Sequence, residues 1–189
     1  MSEKIVIATD LDETTFSYLG GITKFVSERY ARTLEGDPEF YDLYRSGWFK
    51  DEAEFKSIHR EAVDEGLYKT LETYENASET LWDLVRSGYQ NNILTSRFVN
   101  PGQHEKVVAD TAKSLEINSI PHSNLMFLHD KTRFIADVYI DDSPRNLLNL
   151  QKDGRTTITY NQRYNQDVPG LRASSWLEVR EILRDLFGR

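Results

Sequence analysis

Short apolar segments alternate along most of the chain with segments in which apolar residues recur at helical spacing. The first segment, Ile5 to Thr9, is rich in β-branched residues and has the composition of a strand buried on both faces. Further strands are predicted at 92–97, 124–128, 137–140 and 156–160. Strands that alternate with helices in this way predict an α/β fold built on a doubly wound parallel sheet with right-handed crossovers.

Amphipathic helices are predicted between these strands. One begins at Asn76, where Asn76 and Glu79 form a predicted capping pair, and another covers 101–116 with a proline at its first position. The helix after the fourth strand is predicted to begin at Ser143, and the closing helix near Ser175. These helices complete the alternation that a doubly wound sheet requires.

The segment after the first strand is different, because its apolar residues recur only at helical spacing. We therefore predict a core made of residues 1–17 and 76–189, and a small helical cap of residues 18–75 inserted after the first strand. Gly20 and Gly21 are a candidate hinge at the start of this cap.

The predicted cap contains many aromatic residues, most of which are expected to pack against one another. Trp48 and Phe49 are different because they follow Gly47 in a predicted loop. Since an aromatic pair in a loop can stack on a planar ligand, ligand binding and simple packing are both open at these two positions.

The composition is that of a soluble globular protein. The chain has 189 residues, a length that allows one hydrophobic core with an inserted subdomain. Hydrophobic residues make up 39% of the chain and charged residues 29%. No apolar stretch is long enough to cross a membrane and the N-terminal residues lack the pattern of a signal peptide, so we expect a cytoplasmic protein with no membrane partner. The absence of cysteine excludes disulfides, thiol catalysis and cysteine-bound zinc.

The formal net charge of −8 also narrows the choice of partners. Tight binding of long DNA or RNA requires many lysine and arginine side chains to neutralise phosphates, so a long nucleic acid is not expected. A small phosphorylated substrate remains compatible with this charge.

Polar side chains that carry chemistry stand at the ends of four predicted strands. They are Asp10 and Asp12, Thr95 and Ser96, Lys131, and Asp141 with Asp142. Because ligands of open α/β sheets bind beyond the carboxyl ends of the strands, these groups are expected to converge on one edge. Taken singly, each has an ordinary alternative: an acidic turn, a helix-capping threonine or a solvated lysine.

Carboxylates from two strands make an oxygen-rich site of the kind that Mg²⁺ prefers. Lys131 and Thr95 would supply a fixed positive charge and a hydrogen-bond donor to a phosphoryl group. The histidines have no spacing typical of a metal site and are expected to be surface or packing residues. They are His59, His104, His122 and His129.

In combination, these motifs resemble those of the haloacid dehalogenase-like phosphatases, which carry an Asp-x-Asp-x-Thr/Val motif, a strand-end Thr or Ser, a Lys and an acidic pair. Within that superfamily the chain most resembles the 5′(3′)-deoxyribonucleotidases. The matching runs are Asp10 to Thr14, Gly47 to Phe49, Leu94 to Ser96, Asp130 to Thr132, Ala136 to Pro144, Tyr160 to Gln162, and Ser175 with Trp176. The resemblance covers most of the core and little of the cap.

The resemblance implies a Mg²⁺-dependent hydrolysis of (deoxy)nucleoside monophosphates, with Asp10 as the nucleophile and Asp12 as the general acid and base. It assigns phosphate binding to Thr95, Ser96 and Lys131, and contacts with the rest of the substrate to Trp48 and Phe49. Arg97 is a further candidate for substrate binding, although the family does not usually have Arg at this position. Metal binding is assigned to Asp10, Asp12 through its backbone carbonyl, Asp141 and Asp142. A homodimer is compatible with the resemblance, and the sequence does not say whether the chain dimerises.

Two positions depart from the family pattern. Glu13 stands where the first motif usually has Gly, which adds negative charge near the metal and alters the turn. Arg97 stands where Pro often follows Thr-Ser, and it is expected either to add a phosphate contact or to mark a different substrate. Three alternatives therefore stay open: another small phosphomonoester such as a sugar phosphate, a non-catalytic nucleotide-binding member, and a cofactor-free dehalogenase.

Overall fold

The computed structural model describes residues 4–97 and 101–188, and its centre is a sheet of six parallel strands. The strands are β1 (Ile5–Thr9), β2 (Tyr89–Thr95), β3 (Asn124–Phe127), β4 (Val138–Asp141), β5 (Thr157–Tyr160) and β6 (Leu171–Ala173). They lie in the order β3-β2-β1-β4-β5-β6, which is a doubly wound α/β sheet as predicted.

Two strands differ from the prediction by more than one residue at an end. β2 begins at Tyr89 rather than at residue 92, because Asn91 is a buried strand residue whose side chain is satisfied by hydrogen bonds to Thr9 and Pro121. β6 was not predicted, since it has three residues and begins with the partly exposed Leu171. Short edge strands of this kind have no apolar run for a sequence pattern to detect.

Seven α-helices accompany the strands in the described part of the chain. They are α1 (Tyr18–Tyr30), α2 (Glu52–Asp64), α3 (Leu67–Thr70), α4 (Ala77–Arg86), α5 (His104–Ile117), α6 (Pro144–Lys152) and α7 (Trp176–Phe187). Single 3₁₀ turns occur at Lys131–Arg133 and Arg163–Asn165. Within residues 4–97 and 101–188, none of the helices combines the length and the apolar character needed to cross a membrane.

Helices α1, α2 and α3 lie in the segment 18–75, here called the insertion, which the sequence predicts to be helical. The chain enters and leaves the insertion side by side, because Ser17 N donates to Glu72 O at 2.9 Å and Tyr74 N donates to Thr15 O at 2.9 Å. These paired crossings place the insertion directly after the loop that follows β1.

The glycine pair at the start of the insertion is not the predicted hinge, because both glycines lie in the first turns of α1. Gly20 N donates to the capping Ser17 Oγ at 3.2 Å. A Cβ atom on Gly21 would lie 2.2 Å from a methyl group of Leu71. Gly21 is therefore needed for close packing of α1 against the returning chain.

Two predicted helix starts are also corrected. Asn76 precedes α4, but its backbone is left-handed (φ 60°) and its side chain makes no capping bond, so the predicted pair with Glu79 is wrong. Asn tolerates this left-handed conformation better than most residues. Helix α5 begins at His104 rather than at residue 101, and the side chain of Gln103 bonds Arg60 O and Asp64 in the insertion instead of capping α5.

The main hydrophobic core runs without a break from the sheet into the insertion. It joins Ile7 and Leu11 of the sheet and its loop to Phe16 at the crossing, and to Ile22 and Leu67 in the insertion, all buried. A smaller cluster covers the other face of the sheet with Ala8, Leu94, Tyr139 and Leu150. The insertion is thus packed onto the sheet, and burial of its apolar side chains stabilises this placement.

Candidate active site

The central strand β1 lies where the order of the strands in the sheet reverses. The chain crosses from β1 to β2 on one side, whereas β4 lies on the other side of β1. Asp10, the residue after β1, donates its backbone N–H to Ile140 O in β4 at 2.9 Å. This reversal of strand order is where ligands bind in open α/β sheets, so the predicted strand-end residues share the expected edge.

Three of these carboxylates form a compact buried cluster. Asp10, Asp141 and Asp142 each offer an oxygen atom, and the three oxygens lie within 4.8 Å of one another. Lys131 joins them, with Nζ 2.8 Å from Asp10 Oδ1 and 2.6 Å from Asp141 Oδ2. The structure therefore brings together four predicted residues that come from three separate parts of the chain.

The charges in this cluster do not balance. Burial raises the pKa of Asp10 to about 7, although Lys131 opposes the rise, and burial with the charges of Asp141 and Asp10 holds the pKa of Asp142 well above its usual value. Burial lowers the pKa of Lys131, but Asp10 and Asp141 outweigh this effect and raise it. Three buried carboxylates face one ammonium group, and an all-oxygen donor set with excess negative charge suits a divalent cation such as Mg²⁺.

Neighbouring polar groups orient the two acidic residues at the end of β4. Asp141 accepts hydrogen bonds from Ser143 N at 2.8 Å and from Asn146 Nδ2 at 3.2 Å. Asp142 accepts from Thr14 Oγ1 at 3.1 Å and from the hydroxyl of Tyr164. Sequence reasoning missed the parts played by Asn146 and Tyr164. The place of Asn146 in the first turn after the acidic pair was an available signal, whereas Tyr164, after β5, carried none.

The loop after β1 is held by its own side chains and by the closing helix. Thr15 Oγ1 donates to Asp10 O at 2.7 Å, and Trp176 Nε1 donates to Thr14 O at 3.0 Å. Both Thr15 and Trp176 are fully buried. The backbone that carries Asp10 and Asp12 is therefore fixed before any ligand binds.

Asp12 lies outside the carboxylate cluster, and its side chain binds Arg97 instead. Arg97 Nη2 is 2.9 Å from Asp12 Oδ1, and Arg97 Nε is 3.1 Å from Asp12 Oδ2. The Arg97 side chain has no exposed surface. In this structure the guanidinium of Arg97 faces Asp12, and the substrate contact of Arg97 stays a prediction. The candidate metal ligand of Asp12 is its backbone carbonyl, as the resemblance implies.

The two predicted phosphate-binding hydroxyls are placed differently. Thr95 ends β2 beside β1, and its Oγ1 accepts from Arg97 N at 3.2 Å, which leaves the hydroxyl able to donate its own proton. Ser96 Oγ donates to Leu128 O at 3.0 Å. Thr95 is thus poised as a donor, whereas the Ser96 hydroxyl links two strand ends.

Trp48 and Phe49 are buried in the insertion. Trp48 Nε1 donates to Glu35 O at 3.1 Å, and the ring of Phe49 lies 5.3 Å from the ring of Phe55 and 5.3 Å from the guanidinium of Arg32. All these partners belong to the insertion. The packing alternative describes both residues in this structure, and their stacking on a substrate stays a prediction.

Two tyrosines stand at the acidic cluster instead. The ring centroids of Tyr41 and Tyr164 are 5.6 Å apart, and the Tyr41 residue is 53% exposed. Burial of its hydroxyl end, and then the charge of Asp142, raises the pKa of Tyr41 well above its usual value. Tyr41 thus packs on the tyrosine that bonds Asp142 while about half of the residue is exposed, a placement that the aromatic content of the insertion alone did not reveal.

Glu13 keeps the left-handed backbone (φ 55°) that favours glycine, and its carboxylate bonds to groups outside the acidic cluster. Leu19 N donates to Glu13 Oε1 at 2.7 Å, the hydroxyl of Tyr74 donates to Oε2, and Gln162 Nε2 donates to Glu13 O at 2.9 Å. Burial raises the pKa of Glu13 to about 7. Glu13 therefore ties the loop after β1 to both chain crossings into the insertion.

Comparison with known proteins identifies the family. Residues 4–187 match the model of the family described as "5' nucleotidase, deoxy (Pyrimidine), cytosolic type C protein". The chain belongs to this nucleotidase family. A curated protein of Chlorobaculum tepidum, named "Putative 5'(3')-deoxyribonucleotidase", is 31% identical over 182 residues, which are 95% of this chain and 90% of that protein. The family resemblance in the sequence is confirmed, and this nucleotidase is a phosphoric monoester hydrolase.

Solved structures of low sequence identity share the fold of this nucleotidase. A haloacid dehalogenase-like hydrolase from Streptococcus pneumoniae has a TM-score of 0.64 at 17% identity, covering 97% of this chain and 100% of that one. A hydrolase from Pseudomonas syringae has a TM-score of 0.61 at 15% identity, covering 97% of this chain and 99% of that one. This nucleotidase therefore has the α/β fold of these two hydrolases.

Proposed function

We propose that this protein is a Mg²⁺-dependent phosphatase that hydrolyses (deoxy)nucleoside monophosphates to nucleoside and phosphate through an aspartyl-phosphate on Asp10. The observation that carries the proposal is the position of Asp10, whose carboxylate lies 2.8 Å from Lys131 at the end of the central strand. The nucleotidase family and the relative named as a deoxyribonucleotidase support the choice of substrate.

In the first half-reaction, the Asp10 carboxylate attacks phosphorus in line with the leaving nucleoside oxygen. A bond forms between Asp10 and phosphorus, the bond from phosphorus to the nucleoside oxygen breaks, and Asp12 gives that oxygen a proton. Lys131 and the hydroxyl of Thr95 hold phosphoryl oxygens and stabilise the charge of the transition state. One difficult displacement thus becomes two easier ones.

In the second half-reaction, Asp12 acts as a base and takes a proton from water. The water oxygen attacks phosphorus, the bond to Asp10 breaks, and inorganic phosphate leaves. The same residue serves both halves because it is ionised after giving up its first proton. Asp12 is suited to this exchange because its side chain is 27% exposed, whereas the carboxylates of the cluster are buried.

The residues that would hold Mg²⁺ are Asp10, the backbone carbonyl of Asp12, and Asp141 or Asp142. The charge excess in the buried cluster supports this assignment. When bound, Mg²⁺ supplies positive charge that allows an anionic nucleophile to approach an anionic phosphate.

We further propose that residues 18–75 act as a cap over a core of residues 1–17 and 76–189. The paired crossings near Ser17 and Tyr74 support this division, because they leave few chain connections between the two parts. A cap above the end of β1 would exclude bulk water from the reacting phosphate. We propose a cytoplasmic location for the protein, in line with the family description.

The test is phosphate release from ribo- and deoxyribonucleoside monophosphates and from sugar phosphates, with Mg²⁺ or with a chelator. We expect Mg²⁺-dependent release from nucleotides and none from Asp10→Asn. Release from sugar phosphates alone would keep the chemistry and reject the nucleotide substrate. If Asp10→Asn retained most of the activity, Asp10 would not be the nucleophile.

A further inference from the structure

The Arg97 side chain is completely buried and forms an ion pair with Asp12. Its Nη2 donates to Asp12 Oδ1 at 2.9 Å, and its Nε lies 3.2 Å from Oδ1 and 3.1 Å from Oδ2. This bidentate arrangement fixes both the position and the plane of the Asp12 carboxylate. Among the described residues, Oδ2 of Asp12 accepts only the bond from Nε, so it is the oxygen left for proton exchange.

The guanidinium is itself held from three sides. Its Nη1 donates to Thr111 Oγ1 in α5 at 2.9 Å, and it lies 4.3 Å from the ring centroid of Tyr68 and 5.7 Å from that of Phe16. Tyr68 belongs to α3 in the insertion, and Thr111 belongs to α5 outside the insertion. The orientation of Arg97 therefore depends on the insertion being seated on the core.

We propose that Arg97 is the positioning residue of Asp12, which it holds in the orientation needed for proton transfer when the insertion is in place. This inference rests on the proposed function, because it gives a role to the residue that supports the proposed acid and base. Without Arg97, the partly exposed Asp12 side chain would be free to rotate, and a misplaced acid transfers protons poorly.

A direct phosphate contact by Arg97 is the competing role. The N–H groups of Arg97 face Asp12 and Thr111, and a turn toward substrate would leave Asp12 unpaired and break the contact with Tyr68. Separating a buried ion pair is costly, so the geometry favours positioning.

The two roles differ in which step of the reaction they affect. A nucleoside is a poor leaving group and requires a proton from Asp12, whereas p-nitrophenolate leaves without one. Transfer of phosphate from p-nitrophenyl phosphate to Asp10 thus needs phosphate binding but no acid. Hydrolysis of the aspartyl-phosphate needs Asp12 as base for either substrate.

The experiment compares the wild-type protein with Arg97→Met and Arg97→Lys in stopped-flow and steady-state assays with Mg²⁺. For Arg97→Met we expect turnover of nucleoside monophosphates to fall on the order of 10²-fold. With p-nitrophenyl phosphate, we expect a burst near one equivalent per protein at the wild-type rate, followed by slow turnover. Arg97→Lys keeps the charge without the planar fork, and we expect an intermediate loss of turnover with the burst retained.

Arg180→Met is the matched control, because Arg180 pairs with Asp83 on the surface away from the site, and its kinetics should equal those of the wild type. A slower burst and a higher KM for p-nitrophenyl phosphate in Arg97→Lys would overturn the proposal in favour of phosphate binding. If Arg97→Met does not fold, Arg97→Lys carries the test. A wild-type protein that hydrolyses neither substrate would instead reject the proposed function, and this inference with it.

Discussion

The ammonium group of Lys131 lies 2.8 Å from the carboxylate of Asp10, and both side chains are almost completely buried. Lys131 lies in a 3₁₀ turn after the edge strand β3, and strands β2 and β1 separate β3 from β4 in the sheet. Its ammonium group nevertheless also contacts Asp141 at the end of β4. The ammonium group of Lys131 thus bridges the proposed nucleophile Asp10 and Asp141 of the acidic pair.

Replacing Lys131 with Met should lower phosphatase activity by about 10²- to 10³-fold, because one fixed positive charge would be lost from the transition state. The buried carboxylates would also lose their partner, which should lower the free energy of unfolding by about 3–5 kcal/mol. Phosphate release and urea denaturation measure the two effects. Lys113→Met, at an exposed pair with Glu116, is the control and should change neither. An active Lys131→Met protein would remove Lys131 from the phosphate site.

Mg²⁺ should stabilise the folded protein against heat. A site that binds only the folded state adds about 2.7 kcal/mol when the ion is at 100 times its Kd. In Asp142→Asn we expect the metal-free protein to be at least as stable as the wild type, because burial and Asp141 already disfavour the charge on Asp142, and the Mg²⁺-induced rise in Tm to be mostly lost. The exposed Asp153, changed to Asn, should leave that rise intact. An equal rise in Asp142→Asn would make Asp141, and not Asp142, the ligand at the end of β4.

The hydrogen bonds of Glu13 to the two chain crossings should stabilise the folded protein. Glu13→Ala loses the bonds from Leu19 N and the Tyr74 hydroxyl while keeping a strained left-handed backbone, so the free energy of unfolding should fall by about 1–3 kcal/mol. Glu13→Gln retains the acceptor for Leu19 and should be less affected. Equal stability of Glu13→Ala and the wild type in urea denaturation would show that this link does not hold the insertion.

His59 should make stability depend on pH. Burial lowers the pKa of His59 in the folded protein, although the charge of Asp12 opposes this. The unfolded chain therefore takes up a proton first as the pH falls through about 6.5, and the folded protein loses stability below that value. Relative to His59→Gln, the wild type should lose stability between about pH 7 and pH 5 in thermal denaturation. His104→Gln is the control for loss of an exposed imidazole, and a wild-type curve parallel to that of His59→Gln would contradict the prediction.

Local patterns in the sequence determined the sheet, the helical insertion and the acidic strand ends. A buried parallel strand must be apolar along its length, and the residue that follows it must stand at the carboxyl edge of the sheet. Asp10 and Asp141 could be placed from the sequence for this reason. Lys131 could be placed as well, since the turn after β3 opens onto the same edge.

Side-chain partners that are distant in the chain were decided only by the tertiary structure. Arg97 and Asp12 are 85 residues apart, and no period in the sequence indicates that the guanidinium turns toward Asp12 rather than toward a phosphate. The burial of Trp48 and the approach of Tyr164 to Asp142 likewise depend on how the insertion and the last loops pack. Secondary structure follows from local periodicity, whereas the partner of a buried charge follows from which surfaces meet when the chain is compact.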